Sequence, residues 1–462
     1  MKTVLPTYVQ ISEMLIRDIA AGRYLDGARL PPERQMAAEL EISVGTLRKA
    51  LDDMNAKGLL EKRQGSGNYV KTGATPNSVY SFFRVELIDG GGLPTAQVLN
   101  VGLLPKPAAF PAFGPAPKAG ERFKRPDMVG SLQAIRDSEG EAFYRGELGA
   151  AMVAASTQAG GVLTREDLAN HTCDWVTPIR QSYRGVELLE IPPNGQGLAA
   201  QIALGILGYL PAAELDSVAL IHQQIEAMKI AVHAANEHFA DERAMYLTPE
   251  QLLAPGSLER AAKRIGDRAA PLPPVSLPVG EDTVYLTTAD SDGMMVSFIQ
   301  SNFRAFGSGI VIPGTGIAMQ NRGSGFSLDP AHANCVGPSK RPFHTLIPGF
   351  VTQGGRPVLS FGVMGGHMQH QGHLQVVSRI FDYGQNPQEA SDAPRWHVYP
   401  DLTVGLERGM PQSVFDGLKA RGHDVRYERL ESVFGGAQLI QSLPSGYVGA
   451  SDHRKEGYVG GF

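Results

Sequence analysis

The sequence predicts an α+β protein with a helix-rich N-terminal part and a longer part that contains both helices and strands. Two observations predict this class. Apolar residues recur every three or four positions near the N-terminus, whereas apolar and polar residues alternate in TVYLTTADSDGMMVSFIQSN, which starts at residue 283. At roughly 100 to 200 residues per domain, the 462 residues allow two to four domains.

The composition is that of a globular protein, with 42% hydrophobic and 19% charged residues and a net charge of -5. The 54 glycines follow no Gly-X-Y period, which excludes a collagen-like chain. Cys173 and Cys335 are too few for a disulfide framework, so we expect a reducing compartment. We find no metal-ligand spacing and no cofactor fingerprint.

The first residues, MKTVLPTYVQISEML, lack the apolar core of a signal peptide. The most apolar run, 202–210, is shorter than the roughly 20 residues that span a bilayer. We therefore expect a cytoplasmic protein without a membrane segment.

The N-terminal part, 1–72, predicts three short helices and a hairpin. The first helix carries the apolar residues Tyr8, Ile11, Leu15 and Ile19 on one face. The second begins at Glu33, and the third follows Ser43, a suitable N-cap. Two strand-like runs, LLEKR and NYVK, then flank the turn QGSG. The third helix is expected to bury Val44, Leu47, Leu51 and Met54.

Charge separates this part from the remainder. It holds 11 Lys and Arg against 9 Asp and Glu, whereas the remainder holds 31 against 38. Three helices followed by a basic hairpin predict a winged helix-turn-helix, whose third helix enters the major groove of DNA. On that helix Thr46, Arg48 and Lys49 point outward, and Arg63 with the wing glycines Gly65 and Gly67 can approach phosphates.

The segment LPPERQMAAELEISVGTLRKALDDMNAKGLLEKRQGSGNYV resembles the GntR-family DNA-binding domain along its whole length. The resemblance implies that Arg34, Arg48 and Gly67 contact operator DNA. Dimerisation is expected of regulators that read paired half-sites, but the family's dimer contact lies largely in the effector domain, which is curtailed here, so a homodimer stays open. The alternative is that these arginines belong to an ordinary solvated face. Residues 73–118, with the strand-like PTAQVLNV, resemble the opening strands of the UTRA effector domain of HutC-type regulators, but the resemblance stops near Gly120. We interpret this stretch as a truncated fragment or linker.

The remainder predicts helical blocks at 197–210 and 218–240, and then two strands joined by Ser-Asp-Gly. Its motifs, in order, are FYRG, LTREDLANH, IPPNGQG, DTVYLTTADSDG, FGSGIVIPGTGI, PSKRPFHTLIP, GVMGG, DAPRWH and YVGASDHR. Together they resemble the γ-glutamyltransferase family of N-terminal-nucleophile (Ntn) hydrolases. The resemblance implies an incomplete αββα sandwich, with part of the large subunit at 119–282 and the small subunit at 283–462.

In that family the chain cleaves itself before a threonine, which the resemblance assigns to the bond between Asp282 and Thr283. Cleavage would give Thr283 an α-amino group that can act as base for its own hydroxyl. The resemblance assigns the oxyanion donors to Gly365 and Gly366, and it places Ser301 or Asn302 next to the nucleophile. A plain threonine at a strand start and a plain glycine turn are the alternatives.

The substrate-binding candidates depart from the family pattern. His344 and Thr345 stand where many members have two serines, and His344 is either a donor to substrate or a structural histidine. Gly325, close to Arg322, stands where the family has the acid that binds the γ-glutamyl amino group. This departure favours an acylase-like substrate over glutathione, with Arg322 in the substrate site.

Three functions remain open at this point. The chain is a GntR-type regulator joined to a γ-glutamyltransferase-like region, an acylase with an accidental DNA-binding head, or the product of a deletion or assembly error near residue 118. The partners would be operator DNA and a γ-glutamyl or related amide. We expect enzyme activity to be reduced or lost, because the family's large-subunit arginine that binds the substrate α-carboxylate has no match here.

Overall fold

A computed structural model describes residues 8, 11, 12, 15, 24, 27–40, 42–56, 59–63, 67–71, 122, 124–276, 282–304 and 306–461. The chain divides into two compact units, one formed by residues 1–102 with 117–122 and the other by residues 103–116 with 123–462. The UTRA-like stretch of 73–118 lies outside the described residues.

The described helices and strands are numbered in chain order. The helices are α1 Glu33–Glu39, α2 Val44–Ala56, α3 Pro126–Asp137, α4 Glu141–Tyr144, α5 Glu147–Gln158, α6 Arg165–Ala169, α7 Gly197–Leu207, α8 Val218–His238, α9 Pro249–Leu252, α10 Pro255–Ala262, α11 Met368–Phe381, α12 Pro387–Asp392 and α13 Gln412–Ala420. The strands are β1 Leu60–Arg63, β2 Gly67–Val70, β3 Ile179–Tyr183, β4 Val186–Glu190, β5 Asp282–Ala289, β6 Met295–Phe303, β7 Gly349–Gln353, β8 Arg356–Met364, β9 Trp396–Val398, β10 Val404–Leu406, β11 Val425–Tyr427, β12 Gly436–Leu443 and β13 Gly446–Ser451.

The N-terminal unit forms around a small apolar core. Its α2 begins where the sequence predicts, because the Ser43 hydroxyl accepts a hydrogen bond from the Thr46 amide at 3.0 Å. Strands β1 and β2 pair antiparallel, with Arg63 opposite Gly67. Val44 is only half-buried, contrary to the prediction, because it lies in the first turn at the edge of the core. The buried residues include Leu15, Leu30, Met36, Leu47, Leu51 and Met54.

The larger unit is organised around an antiparallel six-stranded sheet in the order β13-β12-β8-β7-β4-β3. Successive side chains of β8 point to opposite faces of this sheet. Phe361 and Val363 are buried against α11, where they meet His373 and Gly372. Ser360 and Gly362, which alternate with them along the strand, face the β5–β6 hairpin.

The β5–β6 hairpin forms a second layer over β8. The Thr287 hydroxyl lies 2.6 Å from that of Ser360. A side chain at Gly362 would overlap the Tyr285 ring, since a Cβ there would lie 2.4 Å from a ring carbon. Glycine therefore permits the close approach of the two sheets.

Four apolar side chains on the outer face of this hairpin stay exposed in the part of the chain that the structure describes: Val284, Leu286, Val296 and Phe298. The described layers are thus helices, six-stranded sheet and hairpin. The predicted fourth layer of an αββα sandwich is not among them.

The two helical blocks predicted from sequence both form, but each ends earlier than predicted, at Leu207 and His238. Every residue of α7 is buried, which explains its nearly continuous apolar sequence. Among the described residues, none of the helices combines the length and the apolar character needed to cross a bilayer.

Candidate functional site

Thr283 lies in an irregular part of the β5–β6 ladder. Asp282 pairs with Phe303 and Val284 pairs with Gln300, so Thr283 faces the stretch Ser301–Asn302. Two residues on β6 thus oppose one on β5, which is a β-bulge. Thr283 is half-buried and Asn302 is exposed. The register brings together Thr283, Ser301 and Asn302, three residues that the sequence predicts for the site.

The backbone is strained at this bulge. Phe303 is buried and has φ of +79°, a conformation that costs a bulky residue on the order of 1–3 kcal/mol. The Ser301 hydroxyl accepts a hydrogen bond from the Phe303 amide at 2.7 Å, and the Asn302 carbonyl accepts from Asn321 at 3.2 Å. These bonds hold β6 in the shape that faces Thr283.

Gly365 and Gly366 follow β8 directly. On β5, Thr287 contacts Ser360 and Tyr285 contacts Gly362, so β5 and β8 run in opposite directions and the start of β5, where Thr283 lies, is directed towards the end of β8 that these glycines follow. The φ angles of the two glycines are +125° and +57°. A Cβ at Gly365 would lie 2.9 Å from the Gly435 Cα, so both conformation and space require glycine.

The same two glycines precede α11. The Gly365 carbonyl accepts a bond from the Met368 amide at 2.9 Å, at the start of the helix. The N-terminal end of a helix carries a partial positive charge. Developing negative charge on a substrate oxygen would be stabilised there.

Gln196 was not predicted as a site residue. Its side-chain amide nitrogen lies 2.8 Å from the Gly366 carbonyl and 2.9 Å from the Thr345 carbonyl, and it donates to both. Its amide oxygen lies 2.8 Å from His370 Nδ1. The side chain is fully buried. Its only sequence signal was its place in the motif IPPNGQG, which specifies no partner.

The loop that holds His344 and Thr345 packs against the same turn. The His344 amide donates to the Asn194 carbonyl at 3.0 Å, and its Nδ1 accepts from the Leu346 amide at 3.1 Å. Burial, with the positive charges of Arg322 and Arg341, lowers the pKa of His344 to about 3. His344 is therefore neutral at pH 7, and one ring nitrogen is used within the loop. Thr345 is buried and contributes its carbonyl to Gln196.

Arg322 reaches the bulge from the loop after β6. Its Nη2 donates to the Ser301 carbonyl at 3.2 Å, and its Cζ lies 5.7 Å from the centre of the Phe303 ring. Arg322 therefore contacts Ser301, which faces Thr283, and Phe303, which pairs with Asp282.

In the N-terminal unit, the predicted DNA-contact residues lie on α1, on α2 with its cap, and on the hairpin. Arg34, Arg48 and Lys49 are exposed, whereas Thr46 is half-buried with its hydroxyl 2.8 Å from that of Ser43. Arg48 forms an ion pair with Glu33 at 2.6 Å.

On the hairpin, Arg63 pairs with Glu61 at 3.1 Å, and its Cζ lies 4.3 Å from the centre of the Tyr69 ring. Gly67 has φ of +121°, which favours glycine. Gly65 lies outside the described residues.

One buried cluster has the residue types of a metal site, although the sequence predicted none. Ligand atoms of His222, Glu226 and His423 lie within 4.8 Å of one another. His222 Nδ1 is 2.7 Å from His423 Nε2, and the Lys229 ammonium lies 2.9 Å from Glu226 and 3.2 Å from His423 Nδ1. Because this ammonium already neutralises the carboxylate, the cluster is a hydrogen-bonded network of the core.

The helices, the six-stranded sheet and the hairpin layered on it make the larger unit an α+β protein of the Ntn-hydrolase-like type. Residues 103–462 match the family described as Gamma-glutamyltranspeptidase, and residues 7–70 match the bacterial regulatory proteins of the gntR family. The chain therefore belongs to the gamma-glutamyltranspeptidase family and carries a GntR-type domain at its N-terminus.

Known proteins match one part of the chain or the other. The glutathione hydrolase-like YwrD proenzyme of Bacillus subtilis is 35% identical over 75% of this chain and 68% of its own length. The HTH-type transcriptional regulator SmoD of Agrobacterium fabrum is 60% identical over 121 residues, which are 26% of this chain and 51% of that protein. The crystal structure of cephalosporin acylase from Bacillus halodurans superposes with a TM-score of 0.72 at 45% identity, covering 76% of this chain and 65% of the acylase. The chain thus spans about two thirds of each enzyme and half of the regulator.

Proposed function

We propose that the larger unit is an amide hydrolase or acyltransferase whose nucleophile is Thr283, joined to a winged helix-turn-helix that binds operator DNA. The observation that carries the enzymatic part is the bulge that sets Thr283 opposite Ser301 and Asn302. The similarity to a glutathione hydrolase-like proenzyme and to a cephalosporin acylase supports amide chemistry. The proposed domains are 1–72, a fragment or linker at 73–118, 119–282 and 283–462.

The proposed reaction begins with cleavage of the bond between Asp282 and Thr283, which frees the Thr283 α-amino group. An α-amino group with a pKa near 8 can take the proton of the neighbouring hydroxyl at neutral pH. The Thr283 oxygen then attacks the amide carbonyl, an ester forms, and the amine leaves with a proton. Water or a second amine releases the acyl group.

The other predicted residues take supporting roles in this proposal. The amides of Gly365 and Gly366 would stabilise the oxyanion, supported by the N-terminus of α11. Ser301 and Asn302 would hold the amino group of Thr283. His344 is neutral and takes no part in proton transfer, since burial lowers its pKa to about 3.

Mass spectrometry of the intact purified protein tests the proposal directly. We expect the 49.5 kDa chain to be replaced by two fragments, one of which starts at Thr283. Thr283→Ala should abolish both cleavage and amide hydrolysis. Thr288→Ala, at an exposed position on the same strand, is the matched control and should cleave normally. A single uncleaved species in the wild type would contradict the enzymatic proposal.

The DNA-binding proposal rests on different observations, namely the capped helix α2, its exposed Arg48 and Lys49, and the similarity to the regulator SmoD. A homodimer would place two such helices on paired half-sites. Mobility shifts on the upstream region of its own gene test this part. Binding no tighter than to random DNA at equal salt would contradict it.

A further inference from the structure

The outer face of the β5–β6 hairpin is apolar and open to solvent. On β5, Val284 and Leu286 have exposed fractions of 57% and 44%, and on β6 Val296 and Phe298 are each 44% exposed. Leu286 lies directly opposite Phe298 in the ladder, and the two valines are diagonal neighbours of this pair. The four side chains therefore form one continuous patch, and such patches mark interaction sites.

The inner face of the same hairpin carries hydroxyl groups. The Tyr285 hydroxyl lies 2.7 Å from that of Ser297, and the Thr287 hydroxyl lies 2.6 Å from that of Ser360 on β8. An antiparallel sheet with one solvated face usually turns its polar side chains outward and its apolar side chains to the core. Here the outward side chains are at least as apolar as the inward ones, which indicates that a further layer covers them.

The edges of the hairpin lead to the same conclusion. Among the described residues, β5 and β6 pair only with each other, so each strand has one open edge. Natural sheets protect exposed edges with charged residues, above all Lys, or with Pro. The two strands, DTVYLTTA and MVSFIQSNF, contain no Lys, Arg or Pro. The hairpin thus lacks the features that keep a solvent-exposed edge from associating.

The charge of this region restricts what can bind there. The other outward positions on the two strands hold Thr288 and Gln300, which are uncharged, and the turn that joins the strands carries the exposed Asp290 and Asp292. A partner rich in phosphate, such as a nucleic acid or an anionic membrane, would be repelled by these acids. The patch therefore fits an uncharged, apolar protein surface.

A second copy of this chain offers such a surface. After residue 72 the chain holds 31 Lys and Arg against 38 Asp and Glu, so two copies carry charge of the same sign. The uncharged outer face of the hairpin is a place where they can meet without bringing like charges together. Two apolar sheet faces pack about 10 Å apart, and a two-fold axis sets the same patch on both sides of the contact.

We propose that the outer face of the β5–β6 hairpin is a dimer interface, at which two copies of this chain pack hairpin against hairpin. The inference goes beyond the proposed reaction, because it requires neither catalysis by Thr283 nor binding of DNA. A dimer would give each particle two DNA-binding units, as paired half-sites require.

The size of the face sets the strength of the dimer. Strand β5 has eight residues and β6 has nine, which gives a face about 27 Å long and 10 Å wide, on the order of 300 Å² in each copy. Two copies then bury about 600 Å², less than the roughly 1,200 Å² of a stable interface. We therefore expect a reversible dimer with a dissociation constant in the micromolar range.

Sedimentation velocity of the full chain, from about 1 to about 200 µM, tests the inference. We expect the wild type to shift from monomer to dimer over this range. Leu286→Lys and Phe298→Lys each place a charge in both halves of the interface and should raise the dissociation constant at least about 10-fold. Both positions are partly exposed, and unchanged urea midpoints would confirm that the variants fold.

Val162→Lys is the matched control, because Val162 is apolar, 91% exposed and outside the hairpin. It should keep the wild-type dissociation constant. Thr283→Ala should also dimerise like the wild type, which separates this inference from the proposed function. A wild type that stays monomeric throughout would overturn the inference and leave the face to a different protein. Lysine variants on the hairpin that dimerise like the wild type would overturn it as well.

Hydrogen exchange locates the interface. Amides of β5 and β6 should exchange more slowly at high than at low protein concentration, and those of α5, away from the hairpin in the fold, should not change. Added salt should tighten the dimer, since it screens the repulsion between two acidic copies. Concentration-dependent protection elsewhere, without protection of β5 and β6, or a dimer that salt dissociates, would refute the assignment to this face.

Discussion

The side-chain amide of Gln196 donates to the Gly366 carbonyl at 2.8 Å, which ties the turn before α7 to the loop before α11. The same nitrogen donates to Thr345, and the amide oxygen contacts His370. One buried side chain thus fixes the backbone whose amide groups are the proposed oxyanion donors. Its role is to position that loop, since it reaches Gly366 from the carbonyl side.

Replacing Gln196 should therefore lower kcat more than it raises KM. Gln196→Leu removes the side-chain donor from the buried Thr345 carbonyl and leaves the Gly366 carbonyl with only the Gln369 amide, at 3.2 Å, which costs about 1–3 kcal/mol and lets the Gly365–Gly366 loop shift. We expect kcat for an amide substrate to fall about 10- to 100-fold with KM within about threefold. Gln388→Leu, on α12, is the control and should keep the wild-type kcat. A rise in KM alone would show that Gln196 acts on substrate binding instead.

Gly325→Asp should fail to introduce an amino-group site. Its Cβ would lie 2.4 Å from the Phe343 carbonyl, so the backbone must move, at a cost of about 1–3 kcal/mol. Gly323→Asp is the matched control, because Gly323 is exposed and a Cβ there meets nothing within 4 Å. Urea unfolding should show a lower midpoint for Gly325→Asp only. Equal midpoints for the two variants would contradict the predicted overlap.

The local parts of this site could be predicted from sequence, and its long-range parts could not. Alternation and the Ser-Asp-Gly turn predicted the β5–β6 hairpin, because both signals lie within adjacent residues. The bulge that sets Thr283 opposite Ser301 depends on pairing register, which alternation alone does not fix. The bond from Gln196 to Gly366 joins residues 170 positions apart, and no local pattern records it. The sequence predicts the end of α7 too far along the chain, because apolar residues continue past Leu207.

Asp452 should be essential to the stability of the larger unit. Its carboxylate is buried and contacts Arg395 at 2.7 Å and Arg454 at 3.1 Å, and Arg454 also contacts Glu407 at 2.6 Å. Asp452→Asn leaves two buried cations short of one negative charge, so the free energy of unfolding should fall by about 3–5 kcal/mol. Chemical denaturation measures this, with the exposed Asp267→Asn as control. A loss below about 1 kcal/mol would contradict the network's role.

Acid should further weaken this network. Burial favours a higher pKa for Asp452, but the charges of Arg395 and Arg454 and the amides of Ala437 and Arg454 outweigh it, so its pKa is lowered. A carboxylate with a lowered folded pKa stabilises the protein fully above its unfolded value of about 3.9. That contribution is lost only as the pH falls below this value. Asp452→Asn should therefore remove part of the pH dependence below pH 4.

Buried histidines should make the protein lose stability at a higher pH than the one at which the Asp452 network weakens. Burial lowers the pKa of His397 and of His423 to about 3, whereas an unfolded histidine has a pKa of about 6.5. The unfolded chain then binds more protons below pH 6.5, so stability is full above that pH and falls as the pH drops. Each histidine should lower the free energy of unfolding at pH 5 by up to about 2 kcal/mol relative to pH 8.

Urea titrations at pH 8, 6 and 5 measure this loss. His397→Gln and His423→Gln should each reduce the pH dependence between pH 6.5 and 5. Thr288→Ala, at an exposed position without a titrating side chain, should leave it unchanged. Stability that stays constant from pH 8 to pH 5 in the wild type would show that the two histidines find water or a new partner when protonated.

Lys49 offers the cleanest test of the DNA-binding unit. It is exposed on α2, the proposed recognition helix, next to Arg48, which is partly neutralised by Glu33 at 2.6 Å. If Lys49 contacts a phosphate, Lys49→Ala should weaken binding to all DNA sequences alike and reduce the slope of log affinity against log salt by about one. Fluorescence anisotropy with the upstream region and with random DNA, at several salt concentrations, measures both effects. Lys419→Ala, which removes the same charge from α13 in the other unit, should change neither. A loss confined to the upstream region would instead assign Lys49 to base recognition, and no loss at all would contradict the placement of α2 on DNA.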